Sequence, residues 1–216
     1  MRNFLKKITH PFLKKITGLY FSKPRKYSYQ NIDVMVHPDV FPPHYTISTK
    51  ILLQYIDTLD LKNKSFLELG CGSGIISLLA SSKGAKVTAS DINLKALEFL
   101  TKASRKNNLK LEITHSDLFT NISQDPFDYI IINPPYYPKK PNSIKEQAWF
   151  CGENFEYFHL LFEQISKRKD KNILMILSED CQVDKIQLIA SRYNFTFQMV
   201  LEKKVAQEKN FIFKIT

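Results

Sequence analysis

From Ser65 to the end of the chain, short apolar runs alternate with longer segments in which apolar residues recur every three or four positions. The runs predict strands, and the periodic segments predict helices. The predicted strands lie at 65–70, 86–91, 110–114, 127–133, 172–178, 195–201 and 210–216. The predicted helices lie at 74–83, 93–107, 153–168 and 182–193. Strands that alternate with helices form a mostly parallel sheet with right-handed crossovers.

This alternation predicts a Rossmann-like, doubly wound α/β fold, with a seven-stranded sheet and helices on both faces. The first five strands are short and apolar, as is typical of strands that are covered on both faces. The last two strands are separated by a charged segment, 202–209. We therefore expect them to form a hairpin, which places a C-terminal antiparallel strand in the otherwise parallel sheet.

The N-terminal end has a different pattern. The hexapeptide Phe-Leu-Lys-Lys-Ile-Thr occurs at 4–9 and again at 12–17, with apolar residues at helical spacing and lysines on the other side. This pattern predicts an amphipathic basic helix, or two short helices broken at Pro11. Such a helix either covers the core or contacts a membrane or RNA.

Between this segment and the alternating region, the spacing of apolar residues changes once more. Alternation from Tyr27 to Val36 predicts a short strand or hairpin, prolines then form an extended corner, and a helical pattern begins at Ser48. We therefore divide the chain into a basic N-terminal helical segment with a strand or hairpin, 1–44, and an α/β domain, 45–216.

The positive charge of the chain is concentrated in that N-terminal segment. The formal net charge of the 216 residues is +10, and residues 1–44 carry +6 of it. This asymmetry indicates an anionic neighbour, such as nucleic acid, a ribosome or a membrane surface. The alternative interpretation is a lysine-rich protein whose lysines are simply solvated.

Several classes of protein are excluded by composition. No stretch reaches the roughly 18 to 20 apolar residues that span a bilayer, and no signal peptide is evident, so we expect a cytoplasmic protein. The three cysteines, Cys71, Cys151 and Cys181, are too scattered for a disulfide framework or a zinc cluster. The five histidines are equally dispersed, and we expect no metal site.

A glycine-rich turn joins the first strand of the alternating region to the helix that follows. Glu68 lies in the strand, and Gly70, Gly72 and Gly74 alternate after it. Glycines there allow a tight turn and the close approach of a ligand, which the N–H groups of the new helix face. Ile75 stands where the dinucleotide-binding pattern has its third glycine, which weakens a nicotinamide interpretation.

Acidic residues end the next two strands. Asp91 follows Gly70 by 21 residues, the position from which a carboxylate accepts both hydroxyls of an adenosine ribose. Asp117 can accept from an adenine amino group, while Leu118 or Ile92 covers a face of the ring. The alternative is that each aspartate only caps a helix. Three successive strand ends carry residues suited to a nucleoside, namely the glycine turn, Asp91 and Asp117, and this favours a nucleoside site over helix caps.

The fourth strand ends in Asn133-Pro134-Pro135-Tyr136. An amide or aromatic NH₂ is a poor nucleophile because its lone pair is delocalised. The side-chain oxygen of Asn133 and the carbonyl of Pro134 can each accept one N–H and so aim the lone pair at an electrophile, and Tyr136 offers a face for stacking. The alternative interpretation is a proline-rich turn without chemistry.

Together these motifs resemble the class I S-adenosylmethionine-dependent methyltransferases with an Asn-Pro-Pro-Tyr motif, and most closely the HemK-like protein-glutamine N5 methyltransferases. The segment Ala148–Gly152 is similar to the Ala-Trp-x-Gly-Gly stretch of that group. The sequence departs from the group at Cys151, which replaces a glycine, and at 44–49, which lacks a common acidic residue.

The resemblance implies S-adenosylmethionine as cofactor and makes 45–216 the methyltransferase domain. The residues that would bind the cofactor are Glu68, Gly70, Cys71, Gly72, Gly74, Asp91, Ile92, Asp117, Leu118 and Asn133. The catalytic residues would be Asn133, Pro134, Pro135 and Tyr136.

The substrate stays open at the level of sequence. The resemblance favours a glutamine amide of a protein, such as a translation factor, and a small activating subunit would be compatible with it. The same motif suits adenine N6 or guanine N2 in RNA or DNA, which the basic N-terminus favours. A binding module that has lost its activity is the third alternative, and the intact Asn133–Tyr136 motif argues against it.

Overall fold

The computed structural model describes residues 22–44, 46–205 and 208–216. The amphipathic helix predicted between residues 4 and 19 lies outside these ranges. Strands of the described chain are β1 (Arg25–Tyr29), β2 (Ile32–Val36), β3 (Ser65–Leu69), β4 (Lys86–Asp91), β5 (Glu112–His115), β6 (Tyr129–Ile132), β7 (Ile173–Ser178), β8 (Phe197–Val205) and β9 (Glu208–Ile215). Its helices are α1 (Ile47–Thr58), α2 (Ile75–Ser82), α3 (Leu94–Lys106), α4 (Ile144–Gln147), α5 (Glu156–Ile165) and α6 (Val183–Ser191).

The main sheet has seven strands in the order β5-β4-β3-β6-β7-β9-β8. Strands β3 to β7 are parallel, and β9 runs antiparallel to both of its neighbours. The predicted Rossmann-like fold with a C-terminal antiparallel strand is confirmed. Chain order reverses between β3 and β6, which lie side by side, and this switch point is where open α/β sheets bind ligands.

The two faces of the sheet are covered by two separate cores. Successive side chains of a strand point to opposite faces, and in β7 Leu174 and Ile176 join the core formed with α1, α2 and α3. Met175 and Leu177 join the other core, which includes α5 and α6. Helices therefore lie on both faces, and the central strands are mostly apolar because neither face meets water.

The hairpin β1–β2 packs against the first of these cores. Ile32, Val34 and Val36 are buried there. The side chain of Asn107, at the end of α3, accepts from the Asp33 N–H at 3.0 Å and donates to the Asp33 carbonyl at 2.8 Å. The hairpin is thereby fixed to the α/β domain, while the boundary proposed between residues 44 and 45 stays a prediction.

Two local features differ from the sequence prediction. The short helix α4 lies in a segment without helical periodicity and begins at Ser143, whose side chain accepts from the Glu146 N–H. The charged segment 202–209 was expected to separate two strands, but it extends them, since Lys204 pairs with Lys209 and Val205 with Glu208. Within this charged segment, Lys209 and Glu202 form an ion pair across the hairpin at 2.8 Å.

None of the helices in the described ranges could cross a bilayer. The longest, α3, has 13 residues, and no described helix combines the length and apolar character that a membrane span requires.

Candidate active site

A cavity of about 440 Å³ opens at the carboxyl ends of β3, β4 and β6, at the switch point of the sheet. It is in the size range of small-molecule sites. Ten of the residues predicted from the sequence line it, namely Glu68, Gly70, Cys71, Gly72, Asp91, Ile92, Asp117, Leu118, Asn133 and Pro135. Gly74, Pro134 and Tyr136 do not line this cavity.

The turn after β3 has a backbone that only glycine adopts readily. Gly70, Gly72 and Gly74 all have positive φ angles, of 74°, 50° and 70°. The space beside them differs: a Cβ on Gly70 would meet nothing within 4 Å, whereas a Cβ on Gly74 would lie 2.3 Å from Leu100. Gly70 therefore keeps the cavity open, and Gly74 allows α3 to pack against the turn.

The N–H groups of this turn are mostly bound within the chain. Gly70 and Cys71 donate to the Ser90 carbonyl at 2.9 and 2.8 Å, and Gly74 donates to the Cys71 carbonyl at 2.7 Å. Gly72 donates to Asp91 at 2.7 Å. These four N–H groups of the turn are therefore already bound, because Ser90, Asp91 and Cys71 provide their acceptors. The role expected for the N–H groups of the new helix, which starts at Ile75, stays a prediction.

Glu68 stabilises the start of α2 from inside the protein. Its Oε2 accepts from the Ser77 N–H at 2.8 Å and also from the Ser77 hydroxyl. Ser77 belongs to the first turn of α2, where backbone donors lack partners within the helix. Burial raises the pKa of Glu68 to about 8, although both bonds from Ser77 oppose the shift.

Asp91 is held by two backbone N–H groups. Its Oδ2 accepts from Gly72, and its Oδ1 accepts from Asn93 at 2.8 Å. Burial raises its pKa, against these bonds. Because a carboxylate oxygen can accept more than one hydrogen bond, Asp91 is oriented by the turn and still offers lone pairs to the cavity.

The next strand end is shaped by Ser116. The buried Ser116 hydroxyl donates to the Leu118 carbonyl at 2.8 Å and accepts from the Asn121 N–H at 3.0 Å. Leu118 has a φ of 47°, which is uncommon for a residue with a Cβ. This tight turn places Leu118 in the cavity wall beside the exposed carboxylate of Asp117.

Asn133 follows β6 directly and is half-buried in the wall of the cavity. Within the described parts of the chain, no side-chain hydrogen bond engages its carboxamide. Pro134 is buried behind the wall, and Pro135 lines it. The corner thus presents a polar oxygen directly before two prolines, whose rings hold the backbone direction.

Tyr136 is turned away from the cavity. Its ring packs on the core that includes α5 and α6 and lies 4.7 Å from the ring of Tyr137, tilted by 53°. Burial, and then the neighbouring Tyr137, raise the pKa of its hydroxyl well above the usual value. The stacking role predicted for Tyr136 stays a prediction, since the aromatic residues that line the cavity are Phe41, Phe150 and Tyr157.

Sequence reasoning assigned no role to those three aromatic residues. Phe41 comes from the proline corner after β2 and lies 4.6 Å from the ring of Trp149. Phe150 and Tyr157 come from the segment that follows Asn133, where Gly152 reverses the chain with a φ of 90°. A Cβ on Gly152 would lie 1.9 Å from a carboxylate oxygen of Glu156. Gly152, directly after Cys151, is the sequence signal that could have indicated that this segment turns back to line the cavity.

The lining is acidic although the whole chain is strongly basic. The ionisable side chains in the lining include five acidic residues, Asp39, Glu68, Asp91, Asp117 and Glu156, and no Lys, Arg or His of the described chain. A phosphate would find no cation here, whereas the ionised carboxylates of the lining would attract a positively charged ligand. Glu68, whose pKa is raised to about 8, does not add to that charge at neutral pH. The described residues also contain no cluster of three or more metal-binding side chains.

The sequence matches the model of the methyltransferase small domain family over residues 31–149. A Methanocaldococcus jannaschii protein, provisionally named a protein N5-glutamine methyltransferase, is 36% identical over 50% of this chain and 53% of its own length. Ribosomal RNA small subunit methyltransferase C of Haemophilus influenzae is 34% identical over 63% of this chain and 37% of its own length.

The fold is also similar to that in the E. cuniculi Mtq2–Trm112 complex, which is described as responsible for methylation of the translation termination factor eRF1. The TM-score is 0.60 at 18% identity, with 82% of this chain and 98% of that chain covered. The chain spans about half of the M. jannaschii relative and less of the H. influenzae one. Because the family model covers more than half of the sequence, the chain belongs to the methyltransferase small domain family, a family of S-adenosylmethionine-dependent methyltransferases.

Proposed function

We propose that this protein transfers a methyl group from S-adenosylmethionine to a planar NH₂ nitrogen, and that the nitrogen belongs to a glutamine side chain of a protein. The observation that carries the proposal is the position of Asn133. Its carboxamide lies in the wall of the cavity, at the end of β6, beside the glycine turn of the neighbouring β3.

The residues present fit this cofactor. Asp91 is preoriented by Gly72 and Asn93 and can accept both ribose hydroxyls. Asp117 and Leu118 would contact the adenine, and Glu68 and the turn would lie beneath the amino acid part. The acidic lining suits a sulfonium cation, and the absence of a basic side chain in the described lining disfavours a pyrophosphate cofactor.

S-adenosylmethionine supplies an electrophilic methyl group on its sulfonium. The chain's own contribution is to orient the acceptor nitrogen. The Asn133 Oδ1 and the Pro134 carbonyl would each accept one N–H of the substrate, so that the nitrogen lone pair is directed at the methyl carbon. The nitrogen gains the methyl group and releases one proton, which needs no strong base because it becomes acidic as the new bond forms.

Most of the rate enhancement would then come from positioning, for which well-oriented partners gain on the order of 7 to 11 kcal/mol. Pro135, Phe150 and the other apolar side chains of the lining would exclude water from the site. Tyr136, packed behind the corner against Tyr137, would fix the direction in which Asn133 and Pro134 point.

A glutamine substrate is supported by size as well as by chemistry. The fold corresponds to nearly the whole of Mtq2, a protein described with a translation termination factor as its substrate, and the M. jannaschii relative is named for glutamine methylation. We therefore propose a translation factor as substrate, and a small partner protein, by analogy with Trm112, as an activating subunit.

Methylation of adenine N6 or guanine N2 in RNA or DNA is the second candidate. It is favoured by the similarity to a ribosomal RNA methyltransferase and by the net charge of +10. Phe41 and Phe150 could stack on a flipped base, and the exposed Lys139, Lys140 and Lys145 lie on the segment after the Asn133 corner. The basic N-terminus would then contact the nucleic acid. A cytoplasmic location stays a prediction under either candidate.

A labelling experiment separates the two substrates. The full chain is incubated with methyl-tritiated S-adenosylmethionine and a lysate, and the products are treated with nuclease or with protease. Label that survives nuclease and is lost with protease supports the glutamine proposal, which is completed by mass-spectrometric detection of N5-methylglutamine in a termination factor. Label with the opposite sensitivity supports the nucleic-acid candidate.

The Asn133→Ala variant is the matched control for this experiment. Label that requires the added chain and is equally strong with this variant would refute the mechanism, whereas label that appears without the added chain comes from another enzyme of the lysate. Co-expression with candidate partner proteins tests whether activity needs a second subunit.

A further inference from the structure

Tyr157 is the residue of the cavity lining that carries a phenol hydroxyl, and it shares the lining with the candidate nucleoside-binding carboxylates Asp91 and Asp117. It belongs to the first turn of α5, and burial, followed by the carboxylates of Asp91 and Asp117, raises the pKa of its hydroxyl. Those aspartates end β4 and follow β5, respectively, whereas Tyr157 comes from α5, so three separate elements bring these side chains to one cavity.

The backbone around Tyr157 is well fixed. Its N–H donates to the Cys151 carbonyl at 3.0 Å, and its ring meets that of Phe158 edge to face at 5.3 Å. Gly152 and Phe155, with φ angles of 90° and 62°, turn the chain so that α5 begins at the cavity. The direction of the side chain is thus set by the wall itself.

The hydroxyl of Tyr157 has no hydrogen-bond partner among the described residues. Burial and the two carboxylates raise its pKa, so the phenol keeps its proton at physiological pH and can act as a donor. Both oxygens of Asp91 already accept backbone N–H groups. A donor that faces the same space can therefore serve the ligand.

We propose that Tyr157 positions the nucleoside of the cofactor: its ring covers the nucleoside from the α5 side, and its hydroxyl donates to a ribose oxygen that Asp91 also contacts. This inference rests on the proposed cofactor site and adds a positioning residue to it. Ribose is chosen over adenine because Asp91 is the carboxylate that the turn fixes in the cavity wall, through bonds from Gly72 and Asn93, whereas Asp117 is exposed.

Isothermal titration of the full chain with S-adenosylhomocysteine tests the inference without turnover. Tyr157→Phe keeps the ring and should weaken binding about fivefold to tenfold, the size of one neutral hydrogen bond. Tyr157→Leu also removes the ring and should weaken binding further, by about tenfold to a hundredfold. Tyr193 packs on the same core as Tyr157, the one that includes α5 and α6, but does not line the cavity. Tyr193→Phe should therefore leave binding of S-adenosylhomocysteine unchanged.

Ligands that lack the 2′- or the 3′-hydroxyl identify the contact. With one of these two analogues the penalty of Tyr157→Phe should disappear, which a merely structural role of Tyr157 would not produce. The inference is further supported if both Tyr157 variants, without ligand, have the same unfolding temperature as the wild type. Equal binding by wild type and both Tyr157 variants, or a penalty that persists with both analogues, overturns this inference alone. If the wild type binds no S-adenosylhomocysteine, the proposed function fails and this inference fails with it.

Discussion

The two ends of the candidate site use their polar groups in opposite ways. At the glycine turn, Glu68 accepts twice from Ser77, and Asp91 accepts from Gly72 and Asn93. At the corner after β6, the Asn133 carboxamide is bound by no other described side chain or backbone group. One end is internally satisfied, and the other keeps its oxygen for a substrate.

This difference indicates a division of labour. Groups that hold a permanent cofactor site gain from being fixed before the ligand arrives, because ordering them on binding would cost affinity. A group that acts on a substrate must exchange hydrogen bonds during turnover. We therefore expect changes at the turn to affect stability and cofactor affinity, and changes at the corner to affect turnover.

The largest effect is expected from Asn133→Ala. The turnover number should fall by about 100-fold to 1000-fold, the loss that follows removal of one preorganised hydrogen-bonding group from a reaction centre. Affinity for S-adenosylhomocysteine should change by less than about threefold, because the cofactor keeps the contacts of the turn. Turnover and titration calorimetry check both values, with Asn121→Ala, outside the cavity, as control. A loss of affinity equal to the loss of turnover would contradict the division.

Gly74→Ala and Gly70→Ala separate packing from ligand contact at the turn. The new Cβ at position 74 meets Leu100 and also strains a positive φ, so unfolding free energy should fall by about 2 to 3 kcal/mol. At position 70 only the strain applies, and the loss should be about 1 kcal/mol. Urea unfolding measures both.

The two variants should rank in the opposite order when the loss of S-adenosylhomocysteine affinity is measured by calorimetry. Gly70→Ala places its methyl in the open space of the cavity and should weaken binding of S-adenosylhomocysteine more than Gly74→Ala does. Equal effects of both variants in both measurements would show that the two glycines are not distinguished by their surroundings.

Asp91→Asn should weaken S-adenosylhomocysteine binding by about tenfold to thirtyfold, since charge-assisted hydrogen bonds to two hydroxyls become neutral or are lost. The exposed Asp117 offers the comparison, and Asp117→Asn should weaken binding by only about threefold. Calorimetry at constant pH measures both. A larger effect at Asp117 would place the dominant polar contact at the adenine.

The smallest effect concerns pH. Burial raises the pKa of Glu68 to about 8 in the folded state, whereas in the unfolded chain the carboxyl has its usual pKa of 4.5. The folded protein binds the extra proton between these values, so the contribution of Glu68 to stability is present below pH 4.5 and is lost as pH rises to about 8.

Glu68→Gln removes this contribution. The stability of the variant should therefore fall less than that of the wild type between pH 5 and pH 8, as measured by urea unfolding across the window of the Glu68 shift. Glu98→Gln is the matched control, because two lysines lower the pKa of Glu98 to about 2 and it does not titrate in this window. Parallel curves for wild type and Glu68→Gln would show that Glu68 is ionised throughout.

Much of the candidate site followed from the sequence because strand ends are local features. An apolar run that stops at Asp91 or Asn133 marks a carboxyl end, and parallel strands bring such ends to one edge of the sheet. Tyr157 and Phe150 could not be found in this way. Phe150 lies in a segment without periodicity, and the helical periodicity around Tyr157 does not tell which side chain enters the cavity. Only the tertiary structure, with the chain reversal at Gly152, places both in the lining.

The sequence by itself determined the α/β alternation, the antiparallel strand at the end and the glycine turn, because each depends on hydrophobic period or on backbone freedom within a few residues. The tertiary structure decided which N–H groups of the turn were already bound, which way Tyr136 faced and which aromatic rings closed the cavity. These depend on neighbours distant in the chain: Ser90 and Asp91 accept from the N–H groups of Gly70, Cys71 and Gly72, and the ring of Tyr136 packs on the core around α5 and α6.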